Sequence, residues 1–584
     1  MTAFGVWAPH AGKVELVLRD QRIAMARDAN DWWHVEANSA GPGTDYRFSV
    51  DGRQPMPDPR SPWQPEGVNG PSRVVDHAAF QWTDGEYQPI PLDAAIVYEL
   101  HVGTFTPEGT FDGVVTKLDH LLQLGITHIE LMPICEFSGP RGWGYDGVDL
   151  YAPHSAYGGP GGLKRLVNAC HAKGLGVILD VVYNHSGPEG CYLDKFGPYF
   201  TDRYRIPWGQ AMNFDGPESD HVRRFVLDSA LMWLGDYHVD GLRIDSVHAM
   251  MDSSALHILA EMALEVRQLQ ERTGRHYFLI GESALNDPRV VQPAEVSGYG
   301  MDAQWSDDFH HALHVLLTGE QMGYYIDYGT LADLAKAVHD VFVYDGRYSR
   351  FRRQHYGRPV GDLSGRAFLA YLQTHDQVGN RAKGERIAHL GGLASAKVGA
   401  ALVLTSPFVP MLFQGEEWAA SSPFQYFTSL GDSGLGQAVS RGRRKEFAAF
   451  VGSSEEVPDP QDIATFKRSK LNWGEVADEP HGSMLRWYQQ LIWMRRLRPD
   501  LACGDPKAVV TSFDEQARWF VLQRGAMTVA CNLADDTRMV PVGAGRAMDI
   551  LLASDPQAHA QGQAVALPGH SVALLGPPGP DSGH

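Results

Sequence analysis

The chain is 584 residues long and carries 50 Lys plus Arg against 70 Asp plus Glu, a formal net charge of −20. That length excludes a single small module and fits about three domains, and the 43% hydrophobic content excludes a largely disordered chain. The acidic balance argues against a sequence-independent grip on nucleic acid, which needs clustered positive charge, and leaves a neutral substrate open.

The N-terminus has no basic segment followed by an apolar run, so no secretory signal is expected. Short alternating runs at 12–18, 31–37 and 45–51, separated by Gly, Pro, Asn and Asp, predict an N-terminal β-sandwich over residues 1–88. The Pro-rich tract from Pro55 to Pro71 is expected to leave it as an ordered linker packed on the next domain. From Ala94 the rhythm changes. Apolar runs at 95–103, 127–134, 176–185, 241–247, 277–283, 367–376 and 408–417 alternate with helical stretches, and Asp302 to Asp308 is a weaker strand candidate. Runs of this kind are buried on both faces in parallel sheets. The pattern predicts an α/β fold, a (β/α)8 TIM barrel over residues 89–490 with insertions, whose chemistry sits at the C-terminal strand ends. A doubly wound sheet is the rival, but no glycine-rich nucleotide loop follows the first strand. The stretch Val398 to Phe413 is broken by Pro407 and Pro410 and reads as a buried helix–loop–strand rather than a membrane span. Runs at 518–525, 527–533, 548–554 and 571–577 predict a C-terminal β-sandwich over residues 491–584, ending in a frayed tail, GPPGPDSGH. Five cysteines, an odd number with no C-x-x-C pair, read as reduced thiols, and the expected location is the cytoplasm.

Three carboxylates end three predicted barrel strands: Asp245 in DGLRIDSVH, Glu282 in FLIGESALNDP and Asp376 in LQTHDQVGN. A carboxylate behind an apolar strand is costly unless paired or used. One alone could be an ion pair with Arg243; three, each beside His, Arg or Asn, point to chemistry. Paired carboxyl groups suit glycosidic cleavage, in which one is ionised and the other holds a proton for the leaving oxygen. Arg243, two residues before Asp245 and on the same side of the strand, is expected to keep Asp245 ionised. Glu282 follows Phe278, Leu279 and Ile280, so desolvation is expected to raise its pKa.

DVVYNH (180–185), GLRID (241–245), IGES (280–283) and THD (374–376), in this order and each at a strand end, resemble the four motifs of the alpha-amylase family of glycoside hydrolases, family 13. The resemblance spans almost the whole chain, including a glycogen-binding-like N-terminal sandwich. It implies Asp245 as nucleophile, Glu282 as general acid/base and Asp376 as the carboxylate that holds sugar hydroxyls and stabilises the transition state. It implies substrate contacts by Tyr145, His185, Arg243, His248, Asp308, His311, His375, Gln377, Asn380 and Arg381. Segments at 245–250, 281–290, 307–320, 374–381, 415–428 and 441–450 are similar to one branch of that family. Its members cut the α-1,4 bond adjoining the terminal trehalose of malto-oligosyltrehalose, releasing trehalose and a malto-oligosaccharide. The implied partners are those sugars, with no nucleic acid, membrane, metal or organic cofactor. A glycogen-branching-type transferase or a plain amylase would use the same carboxylates. A non-catalytic glycan-binding protein is expected to have lost at least one of the three.

Other residues carry competing readings. His310, His311 and His314 could suggest a metal, but no carboxylate or Cys spacing completes a pattern, and packing is expected. Trp143, Trp208 and Trp305 could each be a sugar platform or core. Of Trp32 and Trp33 only one can point outward, and packing is favoured. At least one of Glu416 and Glu417 is expected to brace a loop. The basic run Arg441 to Lys445 reads as a solvated or salt-bridged segment.

Overall fold

The computed structural model describes residues 2–451, 457–543 and 549–577, the side chains of 448–451 excepted. Eight parallel strands close into a barrel: β1 (Val97–Leu100), β2 (His128–Leu131), β3 (Gly176–Val181), β4 (Gly241–Ile244), β5 (Phe278–Gly281), β6 (Ala303–Trp305), β7 (Phe368–Tyr371) and β8 (Val409–Phe413). Each lies inside one of the expected runs, and all residues of these strands are buried. β6 is the shortest, and Asp307 and Asp308 already belong to helix α1 (Asp307–Thr318).

The barrel interior is set by the two-residue period of its strands. Val97, Ile178, Phe278, Ile280, Ala303, Leu369, Val409 and Met411 form an apolar plug with Trp305 and Tyr371. One register step up, Glu99, Glu130, Asp180 and Arg243 face the same interior, since Glu99 pairs with Glu130 and Asp180 with Arg243 across neighbouring strands. Apolar packing thus fills the bottom and middle of the barrel, and a charged layer lies beneath its C-terminal mouth.

Two sandwiches flank the barrel. The N-terminal one pairs a three-stranded sheet (Thr2–Trp7, Trp32–Ala37, Ala26–Arg27) with a four-stranded one (Gln21–Ala24, Val14–Leu18, Asp45–Val50, Ser72–Arg73). The C-terminal one pairs five strands (Val509–Asp514, Trp519–Arg524, Met527–Asn532, Ser571–Gly576, Asp549–Ala553) with three (Arg538–Pro541, Ala564–Leu567, His559–Gln561). Met548 and the tail from Pro578 onward lie outside the described residues. The segment expected as helix–loop–strand is the helix Gly392–Thr405 followed by β8. No described helix is long and apolar enough to cross a membrane.

Trp33 is buried and donates from Nε1 to the Ala8 carbonyl, 3.1 Å. Trp32, half-buried, packs edge-on to His221 of the helix Ser219–Asp236. Both tryptophans therefore pack. Glu416 accepts from Tyr488 Oη (2.9 Å), and Glu417 accepts from Tyr98 Oη (3.0 Å) and contacts His120 (2.9 Å), so both brace the segment after β8.

Candidate active site

At the barrel mouth, β4 delivers Arg243 and then Asp245, β5 delivers Glu282, and the short helix α2 (His375–Gly379) that follows β7 delivers His375 and Asp376. Arg243 is the hub, with no exposed surface. Its Nη1 donates to Asp180 Oδ1 and Oδ2 (2.9 and 2.8 Å) and to Asp245 Oδ1 (3.1 Å). Its Nη2 lies 2.9 Å from Glu282 Oε2 as an ion-pair contact outside hydrogen-bond alignment. The guanidinium stacks over Trp305, 4.2 Å from the ring centroid, so this tryptophan is the floor beneath the charged layer. One cation thus faces three carboxylates from three strands.

Each carboxylate has further donors. Asn184 Nδ2 donates to Asp245 Oδ2, 2.8 Å. Ser246, with a left-handed φ of 41°, aims its backbone N–H at Glu282 Oε2, 2.8 Å; a non-glycine in that region is strain held by its surroundings. Asp376 Oδ1 accepts from Asn380 Nδ2 at 3.2 Å and lies 3.5 Å from His375 Nε2. His375 is fixed from below: its ring Nδ1 pairs with Glu99 Oε1, and its backbone N–H donates to Glu99 Oε2 at 2.9 Å. Burial opposes protonation of His375, but Glu99 and Asp376 outweigh it and lift its pKa to about 9.

The electrostatics reverse both pKa expectations. Burial pushes Asp245 well above the usual carboxylate range, and the charge of Glu282 adds to this. Burial pushes Glu282 the same way, but Arg243 and the Ser246 N–H overcome it and hold Glu282 below its ordinary value. The reason is geometric: Arg243 does not belong to Asp245 alone, and desolvation is not what sets Glu282 apart. Of the two carboxyl groups, Asp245 is the one whose surroundings favour the protonated form.

A cleft of ≈ 610 Å³ opens on this cluster, lined by Trp143, Tyr145, His185, Trp208, Asp245, His248, Glu282, His375, Asp376, Asn380 and Arg443 among others. Tyr145 donates to Asp180 Oδ2 (2.6 Å), and its ring stacks on His375. His185 donates from Nε2 to the Tyr145 carbonyl (3.0 Å) and stacks on Trp208; burial brings its pKa down to about 4. Trp208 is 48% exposed, whereas Trp143 and Trp305 are buried, so of the three expected platforms Trp208 keeps an open face.

Four expected contacts stand elsewhere. Asp308 accepts from Tyr328 Oη (2.6 Å), Asn286 Nδ2 (2.8 Å) and the N–H groups of Val343 and Tyr344 (2.6 and 3.0 Å), so it braces the 343–344 loop. Gln377 Oε1 accepts from the Thr374 N–H (2.8 Å) as half of the capping box that starts α2. Arg381 grips both oxygens of Glu320, 2.8 and 2.7 Å. His311 lies among Tyr324, Tyr325 and Tyr328 in a small cavity next to the cleft that also holds Asp307. His310 and His314 are satisfied by Leu372 O and Glu320, and no cluster that could hold a metal ion occurs among the described residues.

Sequence reasoning missed Asp180, Asn184, Glu99 and Arg443. The first three carry a signal, a charged or amide side chain two residues beyond an inward apolar one or inside the motif DVVYNH. Arg443 carries no signal of its own: it comes from helix α3 (Ser433–Val451), inside the basic run read as a solvated or salt-bridged segment, and only the resemblance of 441–450 touches it.

A closed barrel with three convergent carboxylates at its C-terminal mouth defines a glycoside hydrolase of the alpha-amylase class. Residues 75–205 match the family described as alpha amylase, catalytic domain; residues 1–64 match carbohydrate-binding module 48 (isoamylase N-terminal domain); and 507–574 match a domain of unknown function. A malto-oligosyltrehalose trehalohydrolase of Rhizobium sp. is 46% identical over 98% of this chain and 97% of that protein, and one of Saccharolobus solfataricus is 47% identical over 86% of each. A crystal structure of a candidate alpha amylase from Salmonella typhimurium superposes with a TM-score of 0.90 at 37% identity, covering 98% of this chain and 97% of that one. The chain belongs to the malto-oligosyltrehalose trehalohydrolase family.

Proposed function

We propose that the chain hydrolyses the α-1,4 bond next to the terminal trehalose of malto-oligosyltrehalose, with Asp245 as nucleophile, Glu282 as general acid and base, and Asp376 stabilising the transition state. The observation that carries the chemistry is the contact of one buried arginine with both Asp245 and Glu282 at the end of an aromatic-lined cleft. The choice of substrate is supported by near full-length similarity to relatives that bear that name.

Glu282 gives its proton to the glycosidic oxygen as the C1–O bond breaks, and an Asp245 oxygen bonds to C1 as a glycosyl ester. Glu282, now ionised, takes a proton from water; the water oxygen attacks C1, and Asp245 leaves as a carboxylate with the α configuration retained. Turnover needs the proton on Glu282 and Asp245 ionised, the reverse of the bias set by the surrounding residues. Substrate supplies the opposite bias. The glycosidic oxygen accepts a hydrogen bond only from neutral Glu282, and positive charge growing at C1 favours ionised Asp245. Retention requires the reacting carboxyl groups to stand ~5–5.5 Å apart.

The test is a product analysis with maltotriosyltrehalose and maltopentaose offered separately and together. Release of trehalose from the first, faster than any cut in the second, is the expected result. Faster attack on the linear sugar would make the chain a plain amylase, and new α-1,6 branches from amylose would make it a transferase.

A further inference from the structure

Asp376 sits on a five-residue helix, too short to hold its own shape, and part of the cleft it lines comes from a helix far away in the chain. Arg443 of α3 reaches across and donates from Nη2 to the carbonyl of Gly379, the last residue of α2. Only a tenth of its side chain is exposed, and the guanidinium lies 4.4 Å from the Phe447 ring centroid and 5.2 Å from that of Tyr426. A flat cation between two rings has little freedom to choose another acceptor. Gly379 is held from its other side as well: a Cβ there would come within 2.0 Å of the Trp143 ring. The next residue is Asn380, whose amide donates to Asp376 Oδ1 at 3.2 Å.

We propose that Arg443 is a positioning residue for Asp376, fixing the C-terminal end of the short helix so that the third carboxylate faces the bound sugar. The cationic side chain also satisfies an end carbonyl that the helix itself leaves without a partner. Glu446 Oε2 lies 3.5 Å from Nη1 and shares the cation. The proposal rests on Asp376 serving the transition state as described above.

Arg443→Met keeps the length and packing of the stem and removes both donor and charge. Expected is a fall in kcat of roughly 10- to 100-fold, the scale of a small misplacement of a reacting group, with KM changed less than about threefold and the thermal midpoint held. The acid limb of the pH profile should also move to higher pH, because a carboxylate that loses a nearby cation is easier to protonate. Arg443→Lys, which restores charge and a donor but not the planar stack, should recover part of kcat. Asp376→Asn is run beside them. Met and wild-type enzymes with equal kcat and equal acid limbs, while the Asn variant is inactive, would overturn the role of Arg443 alone. An Asn variant with wild-type kcat would remove the reading of Asp376, and the proposal with it. A fall in kcat that tracks a drop in thermal midpoint, with no shift of the acid limb, would reduce Arg443 to a structural contact.

Discussion

Glu99 gives His375 two acceptors, one for the ring and one for the backbone. Because the imidazolium is favoured up to about pH 9, His375 lines the cleft as a cation across the neutral range. The sign follows from the raised pKa. The stabilisation is fully present below the ordinary histidine value near 6.5 and is lost as pH rises through about 9. Glu99→Gln keeps the shape and removes the anion, so the imidazolium should be lost at lower pH. Expected is an alkaline limb of kcat/KM moved down by at least about one unit, read from a full pH–rate profile. An alkaline limb identical to wild type would mean that the charge of His375 does not matter to turnover. The same dyad shows what was legible in the residues. His375 announced itself beside Asp376 in THD, whereas Glu99 lies inside an apolar run, and only its parity with Val97 places it inward.

At the scale of strands, the charged layer above the apolar plug is the barrel's main electrostatic feature. Glu130 of β2 belongs to it, is 1% exposed, and neither of its oxygens has a hydrogen-bond partner among the described residues. Burial, with Glu99 and Asp180 adding their charges, pushes its pKa well above the usual range despite Arg243, so the fold favours its neutral form. The unfolded chain ionises it near the ordinary value and the folded chain only at higher pH, so this residue lowers stability progressively as pH rises above that ordinary value. Glu130→Gln abolishes the titration. The difference in thermal midpoint between variant and wild type should therefore shift in the variant's favour from pH 5 to pH 8, whatever its constant offset from altered packing. A difference that stays flat with pH would show Glu130 ionised in the fold. The eight barrel strands were readable because each is an apolar run ending in polar residues, and three of the catalytic positions fall at those ends. The weakest, β6, has three residues and gives way to α1 within two more. Edge strands of the C-terminal sandwich such as Arg538–Pro541 and His559–Gln561 were not legible, being only four and three residues long and largely exposed. Arg443 was not legible for a different reason. A helix far along the chain folds back over the barrel mouth, and nothing in RGRRKEF distinguishes the one arginine that turns inward from those that face water or Asp459.

Across the whole molecule, the N-terminal sandwich is fastened to the barrel by the Pro-rich tract, and Arg60 is its central tie. The Arg60 Nη1 donates to Asp228 at 2.8 Å, and its guanidinium lies 5.4 Å from the ring centroids of Trp32 and Tyr151 and 5.6 Å from that of Phe225. One side chain thus meets a ring of the sandwich and two rings of the barrel domain. Asp228 keeps a second partner in Arg224, 2.6 Å away, so removing Arg60 does not strand a charge. What is lost is the stacking together with a partly exposed ion pair, about 1 kcal/mol. Arg60→Ala should lower the first thermal transition by ~2–4 °C and speed proteolytic cleavage between residues 55 and 75, while kcat stays within about twofold, because no atom of the charged layer moves. Calorimetry with timed proteolysis separates the outcomes. An unchanged first transition would mean that the sandwich is held by its apolar contacts alone. A large fall in kcat without a thermal change would mean that the sandwich reaches the cleft, a coupling for which none of the contacts around Arg60 provides a route.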